Sequence, residues 1–259
     1  MLAKERQDKI KELLTANGAV TTAALVETFG VSLETVRRDL LQMEARGLLE
    51  KVHGGAVPTG VMQAFPSLQK RFSSHEEEKL ALAKMAVSQI AEGDIIGIDA
   101  GSTAKAFSEV LRERFCRLTV VTYSMDVFHA LGGYKDFTVI LCGGHFLPSE
   151  NAFYGSLAQD TLQKLHVQKV FLFPSAVSLR DGIGDFQPEL FGMQRLLITR
   201  GDRVFVLADS SKFEKKGLLK ISEIRPEYTL VTDAALPQTL LNLYQENGVN
   251  LICGKEASK

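Results

Sequence analysis

The residues of this 259-residue chain that are best suited to hold a ligand lie where strand-like segments pass into helical ones. One such junction reads Asp99-Ala100-Gly101-Ser102-Thr103, after an apolar run and before a helical pattern. Free backbone N–H groups and the positive end of a helix dipole meet there, beside two hydroxyl groups. We therefore predict a seat for a phosphate or a carboxylate, to which Lys105 would add charge. The alternatives are an ordinary Ser/Thr helix cap and a solvated lysine.

Further polar and glycine residues follow other strand-like segments, where open α/β sheets gather their ligands. Each could instead be a turn residue, and the two glycines among them could serve backbone geometry only. No Gly-x-Gly-x-x-Gly motif follows these segments, so the sequence does not favour a dinucleotide sensor. The candidate effector contacts at these positions are Thr122, Gly143, Gly144, Asp185, Glu189, Asp209 and Lys212.

A second group of candidates lies on the third helical segment of the N-terminal region. Its apolar residues recur at helical spacing and are predicted to pack inward; they are Val36, Leu40 and Met43. This packing places Arg38 nearly opposite the apolar stripe and Arg37 on its flank. Arginines near the start of a helix that follows a tight turn can reach guanine O6 and N7, or a phosphate. The alternative is that both are solvated charges paired with Asp39 or Glu34.

Three short helices are predicted to position these arginines within residues 1–57. Thr21 or Thr22 caps the second helix, and Gly30-Val31-Ser32 forms a tight turn before the third. Gly47 ends the third helix. These elements could form a small DNA-binding domain, and the alternative is that the three short helices are only a packing unit.

A hairpin and a linker follow the helices. The hairpin strands are Leu48–Val52 and Ala56–Val57, and the glycines between them are expected to supply the positive φ angles of a tight turn. Proline and glycine interrupt residues 58–75, which we interpret as a linker.

Strand-like runs alternate with helical patterns over residues 76–259, which predicts a mainly parallel sheet covered by helices on both faces. The predicted fold is therefore α/β, with a small N-terminal domain and a larger C-terminal domain. The predicted strands are Asp94–Ile98, Leu118–Val121, Phe137–Leu141, Lys169–Phe173, Arg203–Leu207, Tyr228–Val231 and Val249–Ile252. The predicted helices are Glu76–Ala91, Thr103–Arg114, Gly155–Leu165, Glu189–Thr199 and Pro237–Glu246.

Composition limits the function classes. The net charge of −1 gives no molecule-wide attraction to nucleic acid, so any DNA-binding surface must be local. Neither a signal-peptide core nor an apolar run of roughly 20 residues is present, which predicts a soluble cytoplasmic protein. The three cysteines, Cys116, Cys142 and Cys253, are far apart in the sequence and are expected to be buried thiols. We expect no disulfide, metal or cofactor.

The run from Val31 to Leu40, followed by Val52-His53-Gly54-Gly55-Ala56, resembles the N-terminal signature of the DeoR family of bacterial regulators. The resemblance implies a winged helix-turn-helix. Lys51 stands where the family usually has arginine, so its contact is expected to be a point charge on a phosphate. The DNA-binding candidates are Thr22, Ser32, Thr35, Arg37 and Arg38 on the helices, with Lys51 and His53 in the wing.

The resemblance extends through the C-terminal region and implies a domain similar to ribose-5-phosphate isomerase, with residues 99–103 as its phosphate-binding loop. Asp209 and Lys212 match the family's Asp-Ser-Ser-Lys motif and are expected to contact the ligand. Two departures concern the same ligand: Gln194 stands where the family usually has lysine, and Tyr123 where it commonly has asparagine. Loss of a positive charge and added bulk fit a ligand that is less charged or differently shaped.

The resemblance implies a non-enzymatic regulator, usually a repressor of carbohydrate genes, controlled by a phosphorylated sugar or similar anion. One winged helix reads a short site, so we expect a dimer or tetramer held by residues after about position 75. Two other interpretations remain. The C-terminal domain could serve dimerisation only, or it could be an isomerase-like enzyme with Asp99, Glu189 or Asp209 as base. The missing lysine weakens the enzymatic interpretation.

Overall fold

A computed structural model describes residues 3–17, 20–52, 55–58 and 66–254. The chain divides into two compact units, residues 1–66 and 67–259, which are described separately below. Within the described ranges, no helix is both long enough and apolar enough to cross a bilayer.

The smaller unit packs three helices against a short antiparallel sheet in the order β1-β3-β2. Its core is formed by apolar side chains from every helix, including Ile10, Leu25, Leu40 and Met43, all at most 1% exposed. The elements are α1 (Ala3–Asn17), β1 (Val20–Thr21), α2 (Thr22–Phe29), α3 (Leu33–Ala45), β2 (Leu49–Val52) and β3 (Gly55–Pro58).

Local signals set the limits of α2 and α3. Thr21 caps α2, because its hydroxyl accepts the N–H of Ala24 at 3.1 Å; the sequence had left Thr21 and Thr22 as alternatives. Gly30 then turns the chain with a φ of +63°. Ser32 caps α3 by accepting the N–H of Thr35 at 3.2 Å. The chain therefore forms helix, tight turn and helix as predicted.

Gly55 corrects one expectation about the hairpin. Its φ does not lie in the left-handed region; instead, a Cβ at Gly55 would lie 2.0 Å from the carbonyl oxygen of Val20. The glycine is needed because β1 approaches β3 closely here. His53 and Gly54 lie outside the described residues, so the predictions for them stand untested.

The larger unit is built on a seven-stranded parallel sheet in the order β15-β14-β12-β9-β4-β5-β6. All seven strands predicted from the sequence belong to it, each within two residues of its expected ends. The strands are β4 (Ile95–Ile98), β5 (Thr119–Thr122), β6 (Thr138–Leu141), β9 (Val167–Leu172), β12 (Gly201–Leu207), β14 (Tyr228–Thr232) and β15 (Asn250–Cys253).

Helices cover both faces of this sheet. Alternate residues of a strand point to opposite faces, so Phe171 packs under α6 while Val170 faces α9. Phe171 stacks on Phe205 with ring centroids 5.1 Å apart, and Phe107 of α6 packs on it at 4.7 Å. One face carries α5 (Glu76–Val87), α6 (Ser102–Arg114) and α7 (Met125–Leu131), and the other α8 (Ser156–Gln163), α9 (Pro188–Thr199) and α10 (Gln238–Glu246).

The structure adds short elements that the sequence did not predict. Their strands are three or four residues long, too short for a periodic pattern to mark them. They include α4 (Leu68–Phe72), α7, the hairpin of β7 (His145–Leu147) with β8 (Ala152–Tyr154), and an antiparallel sheet of β10 (Ala176–Ser178), β11 (Gly182–Asp185) and β13 (Leu219–Ser222).

Two further expectations are corrected. Residues 67–75 belong to the larger unit and include α4, so the linker does not extend to position 75. Of the three cysteines, Cys142 is buried as expected, whereas Cys253 is half-buried and Cys116 is exposed. Cys116 follows the end of α6 in a loop, where its backbone N–H donates to Glu92.

Candidate functional site

The exposed face of α3 carries two arginines. Arg37 and Arg38 are exposed, whereas the adjacent Val36 is 1% exposed and packs in the core. Asp39, one of the alternative partners, is buried and bound to Arg6 at 2.7 Å. Within the described part of the chain, no ion pair engages either arginine of α3. Both side chains are therefore presented to solvent.

A polar network holds α3 against α1. The side chain of Gln7 donates to Gln42 at 3.1 Å and accepts from Arg46 at 3.4 Å, and the Arg6–Asp39 pair adds a buried charge-assisted bond. These contacts fix the direction in which the exposed face of α3 points. A rigid helix with exposed arginines suits docking into the DNA major groove.

The other described candidates of the smaller unit lie at the starts of α2 and α3 and on β2. The hydroxyls of Ser32 and Thr35 lie 2.9 Å apart, so each already has one partner. Thr22, half-buried, begins α2. Lys51, on β2, donates its backbone N–H to Glu44 at 2.9 Å, and its side chain is half-buried. His53 lies outside the described residues.

The candidate effector site of the larger unit lies at the carboxyl ends of the parallel strands. Strand order reverses between β4 and β9, and Asp99 follows β4 at this point. Its carboxylate accepts the N–H groups of Ala100 at 2.7 Å and Phe173 at 3.1 Å, and the hydroxyl of Tyr123. Burial raises the pKa of Asp99 to about 6, although the bonds from Tyr123 and Phe173 oppose the rise.

Gln194 joins Asp99 to a second buried carboxylate. Its side-chain amide donates to Asp185 at 2.7 Å and to Asp99 at 3.4 Å. Asp185 also accepts the hydroxyl of Ser175 at 2.7 Å. Tyr123 and Gln194, the two departures from the family pattern in the larger unit, thus contact the same carboxylate. The sequence identified both residues but gave no reason to place them together.

The start of α6 has the features of an anion seat. Its N-cap is Gly101, with a φ of +119°, and no described side chain makes a cap hydrogen bond. Ser102 and Thr103 lie inside the first turn, buried, so the ordinary Ser/Thr cap is not formed. A guanidinium nitrogen of Arg71 lies 3.8 Å from the point where a Cβ of Gly101 would be. A helix N-terminus beside a cation favours a negatively charged ligand.

Arg71 and its partner Glu150 were not identified from the sequence. Arg71 donates to both carboxylate oxygens of Glu150, at 2.6 and 2.5 Å, and Gln187 donates to the same group at 2.7 Å. Burial raises the pKa of Glu150, and the charge of Arg71 opposes the rise. Arg71 lies in the segment that the sequence predicted to be a linker, and Glu150 lies 79 positions further on, in a hairpin that was not predicted. No sequence motif therefore connects them.

Asp209 and Lys212 lie together after β12. Asp209 is buried, accepts the N–H of Ser211 at 3.1 Å, and lies 3.6 Å from the ammonium group of Lys212. Burial would raise the pKa of Asp209, but Lys212 and Ser211 outweigh it, and the pKa is lowered. Burial lowers the pKa of Lys212. The charges of Asp209 and Asp185 oppose this shift, and the charge of Arg71 adds to it. Lys212 therefore belongs electrostatically to the same cluster.

Several predicted contacts are placed differently. Glu189 is exposed at the start of α9, and Lys105 is exposed on α6 with its ammonium group 4.8 Å from the ring of Phe72. The hydroxyl of Thr122 donates to the carbonyl of Ile98 at 2.8 Å, which joins two strands. The glycines after β6 also differ from each other: Gly143 is exposed, whereas Gly144 packs against β8 and α8.

The effector cluster, defined as Asp99, Asp185, Gln194, Arg71, Glu150, Asp209 and Lys212, therefore combines carboxylates, cations and a helix start. Carboxylates accept hydrogen bonds from hydroxyl groups, and the cations and helix start favour an anion. Among the described residues, no three His, Cys, Asp or Glu side chains group in a way that could hold a metal ion.

Comparison with known families gives two matches that together span most of the chain. A model described as a DeoR-like helix-turn-helix domain matches residues 6–59. A model described as a DeoR C terminal sensor domain matches residues 74–234, which is more than half of the chain.

Curated relatives align over nearly their whole length. An uncharacterised HTH-type transcriptional regulator of Bacillus subtilis (strain 168) is 30% identical, with 97% of this chain and 96% of that protein covered. The L-fucose operon activator of Haemophilus influenzae is 29% identical, covering 94% and 97%. The lactose phosphotransferase system repressor of Lactococcus lactis subsp. lactis is 30% identical, covering 93% and 95%.

Among solved structures, ribose 5-phosphate isomerase A of Methanocaldococcus jannaschii is 20% identical over 55% of this chain and 56% of that chain, with a TM-score of 0.41. A TM-score of that size does not establish a shared fold. The α/β fold class therefore rests on the seven-stranded parallel sheet itself.

Proposed function

Because the chain belongs to the DeoR family of transcriptional regulators, we propose that α3 of its smaller unit reads an operator and that its effector cluster binds a phosphorylated sugar or similar anionic metabolite. Binding of this effector controls the affinity for the operator. The observation that carries the effector half is the start of α6, which begins at Gly101 without a side-chain cap and beside the guanidinium of Arg71.

The DNA half of the proposal is supported by the exposed face of α3. Arg37 and Arg38 point to solvent, while the buried Arg6–Asp39 pair removes Asp39 as a competing partner. Arginine offers planar, bidentate donors that fit guanine. Lys51, as a flexible point charge, fits a phosphate. In this proposal the arginines contribute to specificity and the lysine contributes to general affinity.

The sugar half of the proposal is supported by the mixture of groups in the effector cluster. The phosphate binds at the start of α6 and near Lys212, and sugar hydroxyls bind the carboxylates of Asp185 and Asp209. Two relatives are named for fucose and lactose systems, which agrees with a role in carbohydrate genes. One is an activator and the other a repressor; we propose repression for this chain.

A sensor accounts for the cluster better than an enzyme does. A general base must have a free lone pair within reach of the substrate proton. Asp99 accepts from two backbone N–H groups and from Tyr123 and Gln194, so its oxygens are already engaged. Glu189, a second predicted base, is exposed at the start of α9. Asp209, the third, accepts the N–H of Ser211 and lies 3.6 Å from the ammonium group of Lys212. A role in dimerisation alone would leave these buried carboxylates without use.

We also propose that the regulator acts as a dimer or tetramer in the cytoplasm, where bacterial DNA is found. A single winged helix contacts only a short site, so specificity requires at least two copies on a repeated or palindromic operator. The effector must then bind the DNA-free arrangement more tightly than the DNA-bound one.

Selection of binding sites from random DNA tests the DNA half. The full chain should select sites with two copies of a half-site, and single unrepeated half-sites would contradict self-association. On the selected site, replacing Arg37 or Arg38 with alanine should cost about 1–3 kcal/mol if the residue reads a base, and should relax specificity at one base pair. Lys51→Ala should weaken binding to all sequences alike and flatten the salt dependence.

The control is Arg114→Ala, which removes an exposed arginine from α6 of the larger unit. It should leave the affinity for the selected site unchanged. Unchanged affinity and specificity in both α3 variants would overturn the assignment of α3 as recognition helix.

A further inference from the structure

Gln194 has one hydrogen-bonding atom that is not used by any of the residues the structure describes. The side chain is 2% exposed on α9. Its Nε2 donates to Asp185 and Asp99, but its Oε1 is buried and has no hydrogen-bond partner among the described residues. Buried acceptors without a donor are rare because they lose their hydrogen bonds to water.

The orientation of this amide is fixed by its two neighbours. Ionised carboxylates accept hydrogen bonds and donate none, so Asp99 and Asp185 both require the Nε2 group. A rotation of the amide would bring Oε1 against carboxylate oxygens. Gln194 therefore presents an acceptor, and only an acceptor, on the side away from the two carboxylates.

The position of Gln194 places this acceptor within the effector cluster. Asp99, which it contacts, precedes Gly101 at the start of α6 by two residues. Asp185, its other partner, is close enough to Lys212 for its negative charge to oppose the lowering of the pKa of that ammonium group. The unused oxygen thus lies among groups to which we assign the effector.

We propose that Gln194 is a specificity-determining residue, whose Oε1 accepts a hydrogen bond from a hydroxyl or amide N–H group of the bound effector. The inference rests on the proposed function, since it names one group of the effector. It excludes a carboxylate or a second phosphate at this position, because an acceptor there would face Oε1 and two carboxylates.

Calorimetry on the full chain tests the inference with a panel of ribose 5-phosphate, fructose 6-phosphate, glucose 6-phosphate and galactose 6-phosphate. Singly deoxygenated analogues of the tightest binder are then compared with their parent. In the wild type, one analogue should bind roughly tenfold or more weakly, because the hydroxyl that Oε1 accepts is missing.

Two variants test whether Gln194 is the residue that accepts the hydrogen bond from that hydroxyl. Gln194→Lys keeps donors for both carboxylates but has no acceptor, and Gln194→Met removes donor and acceptor alike. Gln194→Met should bind the parent about as weakly as the wild type binds the critical analogue, and neither variant should distinguish the two compounds. Inorganic phosphate, a probe of the anion seat alone, should bind Gln194→Met as it binds the wild type.

The outcomes separate this inference from the proposed function. If no singly deoxygenated analogue binds more weakly to the wild type, or if both variants still discriminate, the inference is overturned while the sensor function stands. If no phosphorylated sugar binds the wild type, the proposed function fails and the inference fails with it. The comparison of analogues on the wild type needs no variant to fold.

Discussion

Asp99 is a buried carboxylate held by neutral donors. Its bonds come from backbone N–H groups, the hydroxyl of Tyr123 and the amide of Gln194. Such donors stabilise the ionised form less than a salt bridge does, and burial penalises it. The raised pKa of Asp99, about 6, expresses this balance. Ionisation of this group near neutral pH therefore costs stability in the folded protein.

The stability of the wild type should consequently depend on pH through Asp99. Its pKa in the folded chain, about 6, exceeds the ordinary value of 3.8, so the folded state binds the proton more tightly. The resulting stabilisation is fully present below about pH 4 and is lost as pH rises through 6. Relative to Asp99→Asn, the free energy of unfolding should fall by on the order of 3 kcal/mol between pH 4 and 7.

Urea unfolding of both proteins at intervals of pH measures this difference. The comparison isolates Asp99 because the other titrating groups are shared by both proteins. A difference that does not change with pH would contradict the assigned protonation of Asp99.

At the same scale, the sequence identified Asp99, Asp209 and Lys212 because they follow β4 and β12, two strands that it also predicted. Asp185 was also identified, although it lies at the end of β11, which the sequence did not predict. It could not identify Arg71, because this residue lies on α4, a short helix whose structure depends on tertiary contacts. Glu189 and Lys105 are the opposite case: the sequence predicted them as ligand contacts, but both are exposed. Each lies in the first turns of a helix near the correct edge, yet packing turns its side chain to solvent.

At the scale of elements, the two glycines after β6 have different roles. A Cβ on Gly144 would lie 2.6 Å from the carbonyl oxygen of Tyr154 and 3.1 Å from the Cβ of Ala158. A Cβ on Gly143 would have no neighbour within 4 Å, and its φ does not require glycine. Gly144 therefore allows β6 to lead closely past β8 and α8, whereas Gly143 has no such packing requirement.

Alanine at these adjacent positions provides a matched test. Gly144→Ala should destabilise the chain by roughly 1–3 kcal/mol, because the added methyl group overlaps backbone. Gly143→Ala should change the free energy of unfolding by less than about 0.5 kcal/mol. Thermal and urea unfolding measure both. Equal effects of the two substitutions would contradict the packing of β6 against β8 and α8.

The central parallel strands could be predicted because each is buried on both faces and reads as a short apolar run between turn residues. The antiparallel sheet could not, because β11 contains Gly182 and Gly184 and pairs with β13 more than thirty positions away. Its register depends on close backbone approach at these glycines, where a Cβ would meet Ser222 or Gly217. Such approaches leave no periodic signal.

At the scale of the whole molecule, a net charge of −1 means that DNA is not attracted by the molecule-wide field. Specific affinity must come from a local surface, and in the proposed function the exposed arginines of α3 form that surface. The larger unit supplies a cluster with buried charges and an uncapped helix start. Both units are needed for a regulator whose affinity for DNA responds to a metabolite.

The most direct test of this account is the affinity of the full chain for its selected operator, measured by fluorescence anisotropy with and without phosphorylated sugars. We predict that one phosphorylated sugar weakens operator binding by roughly tenfold or more, and that its unphosphorylated form does not. Ser102→Ala and Lys212→Ala should reduce this response but retain the operator affinity of the effector-free protein. An operator affinity that stays constant with every anionic sugar would contradict the account.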